Sequence, residues 1–137
     1  LLHDIGKIAV PETILNKPAK LSHEEFEVIK QHPVTGANIV SQVDYFQDIA
    51  PIIRWHHEYF DGSGYPDGLE GQLIPIQARM IAVVYAFDAM TSDRPYRKRM
   101  DPEVAARILR EGKGRQFDPE LVDLFISHKI YLDTWSR

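Results

Sequence analysis

No cysteine occurs among the 137 residues. That absence excludes disulfide staples and thiolate metal ligands, so any metal held here rests on imidazole or oxygen donors. No apolar run approaches the roughly 20 residues that a membrane-spanning helix needs, and no signal-peptide pattern opens the chain. A cytoplasmic protein with no membrane segment is the expectation. Basic charge is in short supply as well: 16 Lys and Arg stand against 20 Asp and Glu, for a formal net charge of −4. A general binder of polymeric nucleic acid would be basic, so that class is set aside, while a local anion site stays open. The period-two alternation of half-buried strands is missing, as are internal repeats and low-complexity tracts.

What is present is mostly helix signal. Ser22 and Glu25 form a capping box that opens a helix to about Gln31. Pro33 stops it and suits the first turn of a second helix through about Val43. Phe46 to His57 reads as a third. Ile76 to Thr91 is apolar on most faces and is expected to be the buried central helix. Asp101-Pro102 starts a helix to about Glu111, and Asp118-Pro119 starts the last, to about Leu132. The fold class is therefore all-α. Two loops stand apart. Lys7 to Leu21 is expected to be extended, with Pro11 and Pro18. Asp61 to Pro75 holds four of the eight glycines, and a loop of that length in a small domain tends to carry function. Leu1 is not an initiator Met, and two apolar residues run straight into His3-Asp4. This reads as a helix cut in mid-course, in a piece of a longer protein.

Four of the six histidines sit where metal ligands would: His3 beside Asp4, His32 at a helix end, and the pair His56-His57. His-Asp offers a metal a neutral nitrogen and an anionic oxygen. Adjacent histidines on a helix would point about 100° apart and so could serve two neighbouring ions. Such a donor set suits Fe, Mn, Ni or Zn better than Mg or Ca. His23 and His128 read as surface residues. Arg94, Arg97, Lys98 and Arg99 form a basic island in an acidic chain. They suit either a phosphate or the negative end of the central helix.

Three runs together carry a family resemblance. His3-Asp4-Ile5-Gly6-Lys7-Ile8 is similar to the HD signature. His56-His57-Glu58, Asp61-Gly62-Ser63-Gly64-Tyr65-Pro66, Gly68-Leu69 and Gly71 resemble the HD-GYP signature. Phe87-Asp88-Ala89-Met90-Thr91-Ser92-Asp93-Arg94-Pro95-Tyr96-Arg97 resembles the family's later motif. The resemblance spans Leu1 to about Leu121. It implies an HD-superfamily helical bundle, here an HD-GYP domain over residues 1–137 that lacks its first helices and is fused to an upstream regulatory domain. It implies two or three divalent metal ions, Fe or Mn with Ni or Zn as alternatives, and hydrolysis of the small molecule c-di-GMP to the linear dinucleotide or GMP. It assigns metal ligation to His3, Asp4, His32, His56 and His57, catalytic roles to Asp4 and Lys7, and phosphate contacts to Lys7, Arg94 and Arg97. Tyr65 and Tyr96 are left either to stack on guanine or to pack inward. Glu58 and Asp61 are expected to fix the histidines or the loop.

Two features depart from the family pattern. The first ligands of the family lie on a helix ahead of the HD motif, which this sequence does not include. Tyr85 stands where the family has an Asp ligand, three residues before Asp88. Two further readings follow: a degenerate domain that works by binding, and an HD-type hydrolase of another nucleotide.

Overall fold

A computed structural model describes residues 2–93 and 97–130. Among these residues no strand forms, and the only ladder contacts are isolated bridges such as Asp61 with Glu70. The helices are α1 (Glu12–Leu15), α2 (His23–Ile29), α3 (His32–Val40), α4 (Ala50–Trp55), α5 (Ile76–Thr91), α6 (Pro102–Glu111) and α7 (Pro119–Ser127), with short 3-10 segments at Ile5–Ala9, Asp44–Ile49 and Gly71–Leu73. The all-α expectation holds.

Helix starts follow local capping chemistry. Ser22 and Glu25 make a reciprocal capping box at α2, while Asp101 and Asp118 accept from backbone N–H groups at the starts of α6 and α7. The third expected helix differs. Pro51 has no N–H to give and crowds the preceding turn, so the chain runs as a 3-10 segment to Ile49 and becomes α-helical only at Ala50. The loop from Lys7 is also less extended than expected, since it holds the 3-10 turn to Ala9 and the short α1. The last helix ends at Ser127, before Lys129 takes a φ of 49°; Leu132 lies outside the described residues.

Two packed units result. Val83 and Phe87 of α5 join Ala105 and Leu109 of α6, Phe117, and Val122 and Phe125 of α7 in one core. A buried ion pair from Arg79 to Asp118 ties α5 to the start of α7. The 3-10 turn at Ile5–Ala9 instead packs on α3, which in turn packs on α4. Gly6 makes the first contact possible. A Cβ there would lie 1.8 Å from the His32 carbonyl oxygen and 2.6 Å from the Gly36 nitrogen, so only glycine permits so close an approach. That approach brings His3-Asp4 beside His32.

Helix α5 is not buried all round. Ala78, Val83, Phe87 and Thr91 face inward, but Ile76, Met80 and Val84 are about half exposed, at 50%, 50% and 52%. Met80 borders an apolar cleft of about 500 Å³ that is also lined by Leu2, His3, Ile49, Ile52, Ile53 and Ile81. Among the described residues, α4, α6 and α7 pack against this helix.

Candidate metal centre

Three segments converge on one point: His3 and Asp4 with the 3-10 turn that follows them and holds Lys7, the first residue of α3, and the C-terminal end of α4. Ligand atoms from Asp4, His32, His56 and His57 all lie within 4.8 Å of one another. The His3 ring stands 5.2 Å from that of His56. His32 and His56 are almost fully buried.

The tautomers follow from the backbone. At His32, Nδ1 lies 2.7 Å from the Ile29 carbonyl, and at His56 it lies 2.6 Å from the Ile53 carbonyl. A carbonyl only accepts, so Nδ1 carries the proton and Nε2 presents a lone pair to the cluster. The His32 Nε2 then faces Asp4 Oδ1 at 3.3 Å, acceptor against acceptor. Four atoms here are buried without a hydrogen-bond partner: Nε2 of His3, His32 and His56, and Oδ1 of Asp4. Buried polar groups are normally satisfied. Lone pairs converging with no proton between them fit a divalent cation, and nitrogen with carboxylate oxygen is a donor set for a transition metal.

The electrostatics agree. Burial pushes His56 down to about 4 and His57 to about 3 from an ordinary 6.5, so both are neutral at pH 7, as ligands must be. Burial works to raise the Asp4 pKa, but the approach of His3, His32 and Lys7 outweighs it and holds the carboxyl well below the usual carboxylate range. Lys7 donates to Asp4 Oδ2 at 2.8 Å. The histidine shifts make the fold acid-labile in chelator. An unfolded histidine takes up its proton near 6.5, whereas these two refuse it until about pH 4 and 3. Their contribution is intact above pH 6.5 and is lost as pH falls through that window, by about 1.4 kcal/mol per pH unit for each. Urea denaturation in chelator at pH 7.5 and pH 5 is expected to show a lower midpoint at pH 5.

The His56-His57 pair differs from its expected geometry. Helix α4 ends at Trp55, with His56 as its C-cap. The two rings do not diverge around a helix: their centroids are 4.1 Å apart, tilted by 44°, and both face the same cluster.

The glycine-rich loop is pinned beside the histidines. Glu58, 2% exposed, accepts from the backbone N–H groups of Asp67, Gly68 and Leu69 at 2.7, 3.1 and 3.0 Å. It holds the loop, not a histidine. Asp61 accepts from Ser63 within the loop. The sequence reading missed Asp67, which takes a bidentate contact from Arg54 and another from the Trp55 indole. These contacts span twelve and thirteen residues, and no local pattern signals them. Tyr65 packs inward, on His57.

Tyr85 faces the cluster: its ring meets that of His3 at 5.1 Å, edge to face. Arg97 is exposed, and its guanidinium donates to the Ala89 carbonyl in the last turn of α5, the helix-end role. Arg94 and Tyr96 lie outside the described residues.

Residues 1–121 match the family model described as HD domain. This chain belongs to the HD domain family. Within it, the chain's own His3-Asp4 and Gly64-Tyr65-Pro66 runs make it an HD-GYP domain. Over 134 residues the domain is 45% identical to the cyclic di-GMP phosphodiesterase response regulator RpfG of Xanthomonas campestris, covering 96% of this chain and 35% of that protein. Over 139 residues it is 46% identical to a cyclic di-GMP phosphodiesterase of Thermotoga maritima, covering 99% and 38%. The HD domain thus spans little more than a third of the length of these curated relatives. Its fold matches the crystal structure of a cyclic GMP-AMP specific phosphodiesterase of Vibrio cholerae, with a TM-score of 0.66 at 17% identity, over 99% of this chain and 38% of that one.

Proposed function

We propose that this HD-GYP domain is a metal-dependent phosphodiesterase that hydrolyses cyclic di-GMP to the linear dinucleotide or GMP. The observation that carries the reading is the convergence of buried, unpartnered nitrogen and carboxylate lone pairs from His3, Asp4, His32 and His56. Two relatives at 45% and 46% identity whose names carry that activity support it. His3, Asp4, His32, His56 and His57 would hold two or three divalent ions, Fe or Mn, with Ni or Zn as alternatives. Such ions neutralise charge at phosphorus and lower the pKa of water.

The residues of the chain supply the rest. Asp4 offers two oxygens, so one carboxylate can serve two positions. Lys7, held 2.8 Å from Asp4 Oδ2, sits where its ammonium can meet a phosphate oxygen or give a proton to the leaving oxygen. Arg94 and Arg97 are assigned to the second phosphate of the substrate, with the Arg97 contact to Ala89 exchanged for it on binding. Residues 1–137 form one HD-GYP domain of a longer cytoplasmic protein, with its first helices and a regulatory domain upstream. The greater length of the relatives and the uncovered face of α5 at Ile76, Met80 and Val84 support that arrangement.

The test is turnover by the full-length protein with added Mn²⁺ or Fe²⁺, with products resolved by chromatography. Cyclic di-GMP is set against 3′3′-cyclic GMP-AMP and nucleoside triphosphates. Preferred cleavage of another nucleotide would overturn the substrate assignment. Binding of cyclic di-GMP without turnover of any nucleotide would favour the degenerate reading.

Tyr85 is the observation in favour of that second reading, since a phenol is a poorer metal ligand than a carboxylate. Tyr85→Asp in the full-length protein is expected to tighten metal binding by about tenfold or more, equivalent to about 1.4 kcal/mol, and to raise turnover. Some stability is lost, because an added carboxylate is costly in apolar surroundings. Metal titration and turnover on the two proteins check this. A normally folded Tyr85→Asp protein that changes neither quantity would show that position 85 is not a ligand position.

A further inference from the structure

Hydrogen bonds orient two of the centre's four imidazoles, those of His32 and His56, but not that of His57. His32 and His56 each give Nδ1–H to a backbone carbonyl three residues back. Among the described residues, no hydrogen bond reaches the His57 ring; its ring contacts are His56 at 4.1 Å, His32 at 5.0 Å and Tyr65 at 5.0 Å. The contact with Tyr65 is different in kind. Its two planes are 18° apart, a stack, whereas the histidine contacts are tilted by 44° and 83°.

The loop is built to deliver that stack. The Tyr65 N–H donates to the His57 carbonyl at 3.2 Å, which folds the loop back onto the residue it supports. So close a return requires glycine at position 64, where a Cβ would stand 2.2 Å from the Tyr59 nitrogen and 2.6 Å from the His57 carbonyl oxygen. Helix α2 then holds the tyrosine from outside. The Phe26 ring meets it edge to face at 6.4 Å, and the Lys30 ammonium lies over it at 5.4 Å from the centroid, itself paired with Glu27 at 2.9 Å. Cation over ring and edge over face are both attractive arrangements.

We propose that Tyr65 is the positioning residue for His57. Its flat ring does for that imidazole what backbone carbonyls do for His32 and His56, with α2 as the clamp through Phe26 and Lys30. The proposal rests on the metal-centre reading. Groups that orient a metal ligand are commonly worth 10- to 100-fold in metal affinity, and a ring stack that fixes a ligand otherwise free to turn about its side-chain bonds falls under the same argument.

The experiment is Co²⁺ titration of the full-length protein, read both as affinity and as the visible absorption band, which reports coordination geometry. Wild type, Tyr65→Phe, Tyr65→Leu and Phe26→Ala are compared. Tyr65→Phe keeps the stack and is expected to match wild type in both readouts. Tyr65→Leu keeps apolar volume but no flat ring, and is expected to bind on the order of 10-fold more weakly or worse, with an altered band. Phe26→Ala, at a half-exposed site on α2, is expected to shift both readouts in the same direction by less. It decides the matter if Tyr65→Leu fails to fold. A Tyr65→Leu protein with wild-type affinity and spectrum would overturn the proposal, as would a Tyr65→Phe protein as weak as Tyr65→Leu, which would assign the effect to the hydroxyl. If Tyr65→Leu does not fold, an unchanged Phe26→Ala overturns it. Wild-type protein that takes up no Co²⁺ would overturn the metal-centre reading itself, and this proposal with it.

Discussion

His56→Ala is expected to reduce metal affinity at the centre by on the order of 100-fold or more while leaving the helices in place. The imidazole is 3% exposed, its Nε2 has no hydrogen-bond partner, and its orientation is fixed by the Ile53 carbonyl. Its structural role is small, because the bond lost from Nδ1 is worth about 1 kcal/mol. Its role toward a cation is large, because one of a few converging donors disappears. Metal content per chain separates the two, measured beside circular dichroism. His23→Ala is the control: that residue is exposed at the start of α2, and its loss is expected to leave metal content unchanged. A second signature comes from acid. Because burial holds His56 near 4, the alanine variant in chelator is expected to lose less stability between pH 6.5 and 5 than wild type. Unchanged metal stoichiometry in both His56→Ala and His57→Ala would sink the ligand assignment.

The candidate ligands were legible in the sequence because His3, Asp4, His56 and His57 stand in the HD and HD-GYP runs and His32 at a helix end, and the structure brings these five residues to one place. Their geometry was not legible. Whether His56 and His57 diverge or converge depends on where α4 stops, and that is set by how the glycine-rich loop folds back on His57 through Gly64 and Tyr65. Capped helix starts at Ser22, Asp101 and Asp118 were readable because a cap and its N–H partner lie two or three residues apart. The face of α5 was misread for the opposite reason. Apolar residues at Ile76, Met80 and Val84 state a preference for burial, but their exposure depends on which distant segment covers them. The same holds for Asp67, whose partners Arg54 and Trp55 are neighbours only in space. Arg97 illustrates a further limit: one basic residue after a helix can bind a phosphate or the helix's own last carbonyls, and in this structure it takes the Ala89 carbonyl.

Glu58→Ala is expected to be among the most damaging substitutions away from the ligands themselves. The carboxylate is buried, and three consecutive N–H groups, of Asp67, Gly68 and Leu69, converge on it. Removing it takes away charge-assisted bonds worth about 1.5–3 kcal/mol and leaves donors without partners at about 1–3 kcal/mol each. Part of that is recovered as the loop opens and water enters, so a net loss of about 3 kcal/mol is the expectation, read as a lower urea midpoint. Glu58→Gln separates charge from shape. Its amide can accept through one oxygen but turns an NH₂ toward the remaining donor, so about half of the loss is expected. The loop also returns Tyr65 to His57, so both variants are expected to weaken metal binding in the same order, although the Glu58 carboxylate hydrogen-bonds to the loop backbone and not to an imidazole. Arg54 and Trp55 still hold Asp67 in either variant, so new proteolytic sensitivity is expected just beyond it, near residues 68–71, before any loss of helix content. If Glu58→Ala lowered metal affinity with no loss of stability, Glu58 would be acting on the centre directly, and its assignment as the anchor of the loop would be wrong.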